Sequence, residues 1–191
     1  MRSRIAAETK ERKKEQKERE LRLLHNMAST SFKRLMLEYK ELTENPPEGV
    51  QAGPLNEDDF LTWEAVIMGP PGTPYEGGVF LARLVFPPDY PLNPPKMTFT
   101  TDIWHPNVFP NGDVCISILH PPGEDPHRYE SIHERWSPMQ SAEKILISVM
   151  SMLAEPNIES PANVEAAKLM RDSPEAHIQR IHRCVEKSLG I

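Results

Sequence analysis

Apolar residues at Phe32, Leu35, Met36, Tyr39 and Leu42 recur at helical spacing, which predicts an amphipathic helix over 29–43 that Pro46 and Pro47 end. The period then drops to two. A short strand is expected at 50–53, and a second at 61–68 with Leu61, Trp63, Ala65 and Ile67 on one face. A third follows at 79–86, where Phe80, Ala82, Leu84 and Phe86 oppose Leu81, Arg83 and Val85. A fourth is expected at 96–101, beyond a proline-rich corner at 86–95. Short connections rich in Gly, Pro, Asn and Asp argue for an antiparallel meander. Helical spacing returns at Ile145, Leu146, Val149, Met150 and Leu153, predicting a helix over 141–155. A short helix at 163–171 and a final one to about 189 complete the chain. Ser173-Pro174 marks the start of the last with a capping residue and a first-turn proline. The fold class is α+β: an N-terminal helix, a four-stranded meander, an irregular stretch and C-terminal helices.

Residues 1–26 break this pattern. They hold nine Lys/Arg and five Asp/Glu, a net +4 that leaves −10 for the remainder of a chain whose total is −6. Opposite charges fall at helical spacing in Glu8–Arg12, Glu15–Arg19 and Glu18–Arg22, and apolar residues cluster only at the ends of the segment. This reads as a solvated helical extension, 1–26, ahead of a single domain, 27–191. The simpler reading is an accessory tail; the sharper one is a helix that docks against a partner or against the domain's own sheet. Met27 could also serve as an alternative start.

An acidic domain is a poor candidate for nucleic acid and suits a partner with basic surfaces. No apolar run is long enough to span a membrane. Cys115 and Cys184 are far apart and form neither a metal-ligand nor a disulfide pattern, which favours a reducing compartment.

The candidate chemistry lies at 105–119. Pro110 pre-sets φ and Asn111-Gly112 tolerates positive φ, so the chain folds back between His105-Pro106-Asn107 and Cys115. A thiol held near the Asn107 amide supplies a nucleophile and an oxyanion donor, the two groups that acyl transfer needs. On composition alone, a cysteine between Val114 and Ile116 is more often a small buried hydrophobe.

Several separate motifs, in one order, change that balance. They are Tyr75-Glu76-Gly77-Gly78-Val79-Phe80, Phe86-Pro87-Pro88-Asp89-Tyr90-Pro91 with Pro94-Pro95-Lys96, His105-Pro106-Asn107, Asn111-Gly112-Asp113-Val114-Cys115-Ile116-Ser117-Ile118-Leu119 and Trp136-Ser137-Pro138. From about Met27 to the end, the chain resembles the ubiquitin-conjugating enzyme family. It looks closest to the branch serving endoplasmic-reticulum-associated degradation, which has a similar acidic insert after the cysteine. The resemblance implies that Cys115 accepts ubiquitin as a thioester from the activating enzyme. A RING-type ligase then directs the acyl group to a lysine, building degradation-signalling chains. It implies no bound cofactor and no metal, ATP being consumed by the activating enzyme. It also implies Asn107 as oxyanion stabiliser or loop organiser, and His105 as structural rather than as a base. Lys33 and Arg34 would contact the activating enzyme. The corner carrying Phe86, an aromatic read as exposed with a core position as the alternative, and the loop of Ser137, Pro138 and Met139 would grip the ligase. Gln51 would mark a non-covalent binding face on the back of the sheet. The implied setting is the cytoplasm, at the cytosolic face of the endoplasmic reticulum, reached through a membrane-anchored recruiting protein.

Two features depart from the family's compact members. Twenty-one positions separate Cys115 from Trp136, and this insert carries Glu124, Asp125, Glu130 and Glu134. Where many relatives have an Asp, this chain has Ser160, beside Glu159. Activation of the incoming lysine therefore falls either to Glu159 and Ser160 or to the acidic insert. Three competing readings remain at this stage. One is a cysteine hydrolase pairing Cys115 with His105 or His120, another is a non-catalytic binding module, and the third is a conjugating enzyme for another ubiquitin-like modifier.

Overall fold

A computed structural model of the chain describes residues 29–56, 59–123, 131 and 133–191, together with Lys17. The charged extension, apart from Lys17, lies outside the described residues, as do Glu124, Asp125 and Glu130 of the insert.

Helix α1 (Thr30–Glu44) starts at Ser29, whose hydroxyl accepts the Phe32 N–H at 3.1 Å. Four strands follow: β1 (Val50–Asn56), β2 (Asp59–Met68), β3 (Val79–Val85) and β4 (Lys96–Phe99). They form one antiparallel sheet in chain order, the expected meander. β1 runs three residues further than the sequence pattern predicts, through Pro54. Among the described residues it pairs with β2 alone, so a proline there removes no ladder bond from a second neighbour. β4 stops two residues early, because the Thr100 and Thr101 N–H groups both turn to the Leu81 carbonyl.

Helix α1 packs on β1 and β2, helix α2 (Ala142–Ala154) packs against α1, and α3 (Val164–Asp172) and α4 (Pro174–Ser188) pack together, with α4 against β3. Trp63, Ala65 and Ile67 of β2 and Phe80, Ala82 and Leu84 of β3 are buried in one core with Ile145, Leu146 and Val149 of α2. Each large buried side chain contributes about 1.5–3 kcal/mol of transfer free energy. Ser173 occupies the cap position of α4 but makes no side-chain cap bond; Pro174 at the first helical position sets the start.

Two expectations about exposure change. The stripe predicted on α1 splits: Leu35 and Leu42 are buried, whereas Met36 and Tyr39 are exposed and the inward position between them is Glu38. Phe86 is not an exposed aromatic. It is 2% exposed and packs edge-on against Trp63, at 5.1 Å between centroids, and Tyr90, at 4.9 Å. It continues the inward alternation of β3 and holds the 86–95 corner from inside, so it cannot itself meet a ligase.

Candidate active site

The thiol is placed by a tight reversal of the chain. The Phe109 N–H donates to the Asp113 carbonyl at 2.9 Å and the Gly112 N–H to the Phe109 carbonyl at 2.8 Å. Gly112 has φ +90°, and a Cβ there would lie 2.3 Å from the Phe99 carbonyl oxygen, so glycine is required on both counts. The Val114 N–H donates to the Met97 carbonyl at 3.0 Å and the Cys115 N–H to the Asn107 carbonyl at 2.9 Å. The cysteine is thus held to β4 on one side and to the His105–Asn107 segment on the other. Asp113 anchors the turn, accepting from Thr98 Oγ1 and pairing with Lys96 at 2.8 Å. The bond from Lys96 leads the interactions that hold its carboxyl below the usual range.

His105 is a frame element, as the family resemblance implies. It is 0% exposed; its Nδ1 accepts the Asn107 N–H at 2.9 Å, so Nε2 carries the proton toward the Met152 carbonyl, also at 2.9 Å. Burial, outweighing the Met152 bond, pushes its pKa down to about 4. It is therefore neutral at physiological pH, and both ring nitrogens are committed. The preceding residue is fixed too. Tyr75 Oη donates to the Trp104 carbonyl at 2.6 Å, Trp104 Nε1 donates to His177 Nδ1 at 3.2 Å, and the Arg180 guanidinium stacks 3.7 Å over the indole.

The titration has a consequence for acid stability. Above the ordinary histidine pKa of about 6.5, His105 is neutral both folded and unfolded and adds no pH dependence. Between 6.5 and 4 the unfolded chain binds a proton that the native site refuses, so stability falls as pH falls. The full loss from this group is about 3 kcal/mol. Thermal melts from pH 7 to pH 4 should show it, with a shallower slope in His105→Gln. An equal slope in the variant would assign the acid sensitivity to other groups.

Asn107 is buried and its side chain forms a two-way clasp. Nδ2 donates to the Asn157 carbonyl at 2.7 Å and Oδ1 accepts the Asn157 N–H at 2.8 Å. This ties the thiol's neighbourhood to the 155–160 loop that leaves α2. A cleft of about 500 Å³ opens between them, lined by Cys115, Asn107, His120, Glu134, Glu155 and Ser160 among others. Ser160 is at the cleft as expected, but the loop's lining carboxylate is Glu155; Glu159 is exposed on the same loop, with its N–H bonded to Asn157 Oδ1. Between the two histidines weighed as partners for Cys115, the structure selects His120, whose Nε2 is 3.7 Å from Sγ. His120 sits at the root of the acidic insert, where its carbonyl accepts the Trp136 N–H at 3.1 Å. Cys184 lies elsewhere, half-buried in α4, and burial pushes its thiol up, which suits a structural residue.

Away from the cleft, Ser137, Pro138 and Met139 precede α2, with Met139 86% exposed. In place of the buried Phe86, the adjoining 86–95 corner presents as its exposed apolar side chain Leu92, 61% exposed. Its position after Tyr90-Pro91, outside the inward alternation, was the available signal. On α1, Lys33 is exposed, but the Arg34 guanidinium is turned inward to Glu38 and, at 2.8 Å, to the Gln140 carbonyl. Gln51 is exposed on β1, on the back of the sheet with Val66 and Met68.

These features define a ubiquitin-conjugating fold with a thiol-bearing cleft. The family described as ubiquitin-conjugating enzyme matches residues 34–185, and the chain belongs to it. It is 62% identical over 165 residues to human "Ubiquitin-conjugating enzyme E2 G2", covering 86% of this chain and 100% of that one. It is 59% identical over 161 residues to Schizosaccharomyces pombe "Ubiquitin-conjugating enzyme E2-18 kDa", covering 84% and 97%. To Arabidopsis thaliana "Ubiquitin-conjugating enzyme E2 14" it is 51% identical over 154 residues, covering 81% and 92%. The protein is an acyltransferase that works through a cysteine thioester, with ubiquitin, an activating enzyme and a ligase as its partners. No described helix is long and apolar enough to cross a membrane.

Proposed function

We propose that Cys115 is the acceptor thiol and that the enzyme builds degradation-signalling chains in endoplasmic-reticulum-associated degradation. The reading rests on one observation above the rest: a half-buried thiol opening into a cleft whose two walls are pinned together by Asn107. In charging, the Cys115 thiolate attacks the carbonyl carbon of the activating enzyme's thioester. A new C–S bond forms, the old one breaks, and the activating enzyme's thiolate leaves. In discharge a lysine amine attacks the Cys115 thioester, the isopeptide C–N bond forms, and the Cys115 thiolate leaves. The amine's proton passes to the acidic lining or to solvent, and desolvation of the ammonium in the cleft lowers its pKa beforehand.

The acidic insert is assigned the steering of that lysine. Neutralising Glu124 and Asp125 together should slow chain formation about fivefold, the effect of ~1 kcal/mol of lost attraction, and leave charging nearly unchanged. Equal effects on both steps would contradict the assignment. The exposed Leu92, Pro138 and Met139 are assigned to the RING-type ligase, Lys33 to the activating enzyme, and the sheet's back around Gln51 to a recruiting protein anchored in the endoplasmic reticulum membrane. The enzyme then works in the cytoplasm, at the membrane's cytosolic face, with no cofactor of its own. The overall test is a charging assay with activating enzyme, ATP and ubiquitin. A reductant-sensitive ubiquitin adduct is expected; its absence with ubiquitin alongside formation with another modifier would overturn the reading.

A further inference from the structure

We propose that Glu38 is a positioning residue for ligase stimulation: its buried carboxylate fixes, from beneath, the spacing of the two loops that carry Leu92 and Met139. The proposal rests on the assignment of those loops to the ligase made above.

Glu38 is 8% exposed, on the inward face of α1 between Leu35 and Leu42, where the helical pattern calls for an apolar side chain. It accepts hydrogen bonds from three elements. Tyr90 Oη, from the middle of the 86–95 corner, lies 2.8 and 2.9 Å from its two oxygens. The Ala142 N–H, at the start of α2, donates to Oε2 at 2.8 Å. Arg34 Nε donates to Oε1, and the same guanidinium reaches the Gln140 carbonyl. One carboxylate thus touches the corner on one side and the first turn of α2 on the other, while the Arg34 side chain it holds reaches the last residue before the α2 cap. A second tie runs between the loops themselves, from Trp136 Nε1 to the Pro91 carbonyl at 2.8 Å.

Each bond has a physical reason. A carboxylate at a helix N-terminus satisfies an orphan N–H and the positive end of the helix dipole, so Glu38 caps α2 from another helix. Burial, and then the Glu38 charge, push the Tyr90 phenol far above its ordinary pKa, so it acts only as a donor. An apolar residue would fill the space without the desolvation cost of a buried charge. What the carboxylate adds is a fixed register between α1, the corner and α2. A ligase that grips Leu92 and Met139 together reads that register, because a small apolar contact depends on shape complementarity.

Glu38→Gln in the full-length protein keeps the volume but replaces one accepting oxygen with an NH2 that faces other donors. We expect the concentration of a stimulating RING domain needed for half-maximal discharge to rise on the order of tenfold. Ligase-free discharge to free lysine should stay within twofold of wild type. Tyr90→Phe, which removes one tie and little volume, should raise half-saturation about threefold. Leu92→Ala and Met139→Ala serve as surface controls and should raise it strongly. Unchanged half-saturation in Glu38→Gln and Tyr90→Phe, with the controls impaired, would overturn the positioning role alone. So would a parallel fall of ligase-free and ligase-stimulated discharge, which marks a purely structural residue. Unimpaired controls would overturn the ligase-surface assignment and the proposal with it.

Discussion

Cys115→Ser should convert the ubiquitin adduct from one that reductant removes to one that reductant leaves intact. The serine oxygen occupies the same place, held by the Cys115 N–H bond to the Asn107 carbonyl, so the acyl group can still be received, slowly. The product is an oxyester, whose alkoxide is a far worse leaving group than a thiolate, so lysine discharge should fall below detection. Cys115→Ala should form no adduct. The assay is a non-reducing gel run beside a reducing one, with activating enzyme, ATP and ubiquitin. A reductant-sensitive adduct persisting on Cys115→Ala would move the acceptor to Cys184. The structure argues against that outcome, since Cys184 lies on α4, outside the lining of the cleft that Cys115 opens into, and burial pushes its thiol up, away from the nucleophilic thiolate.

What was legible in the sequence was local. The period-two runs placed Trp63, Ala65, Ile67, Phe80, Ala82 and Leu84 on the buried face, and the Pro110-Asn111-Gly112 turn brought Cys115 back beside Asn107. The inward turn of Glu38 was hidden by contacts between residues distant in the chain. Glu38 interrupts the apolar stripe of α1 because its partners, Tyr90 and Ala142, lie 52 and 104 positions away. Once Glu38 turns inward, Met36 and Tyr39 are left toward the surface. Arg34 looked like a solvated cation and is drawn to the same carboxylate. Phe86 was the opposite case: the alternation of β3 already pointed it inward, and the expectation of an exposed aromatic set that signal aside. His120 was named only as a partner in a competing hydrolase. The 3-10 turn at Ser117–Leu119 brings it back toward Cys115, and a backbone bond from Trp136 across the insert adds a long-range tie at the same residue.

Asn107→Ala should reduce lysine discharge on the order of 100-fold while charging still proceeds. The sequence offered two roles for this amide, oxyanion donor and loop organiser, and the observed geometry weights the second. Both polar atoms of the side chain are bonded to the backbone of Asn157. Removing it leaves a carbonyl and an N–H of the 155–160 loop without these bonds, at a cost of about 1–3 kcal/mol. The cleft wall carrying Glu155 and Ser160 then loses its attachment to the thiol's side, and the incoming lysine loses a fixed approach. Discharge and stability should therefore fall together, read as single-turnover lysine discharge beside a thermal melt. Asn107→Asp separates the roles further. It keeps an acceptor for the Asn157 N–H but sets a carboxylate oxygen against the Asn157 carbonyl, so it should lower the melting temperature at least as much as alanine. A 100-fold loss of discharge with unchanged melting in Asn107→Ala would return the amide to direct stabilisation of the oxyanion. The clasp would then be a consequence of where the loop happens to rest.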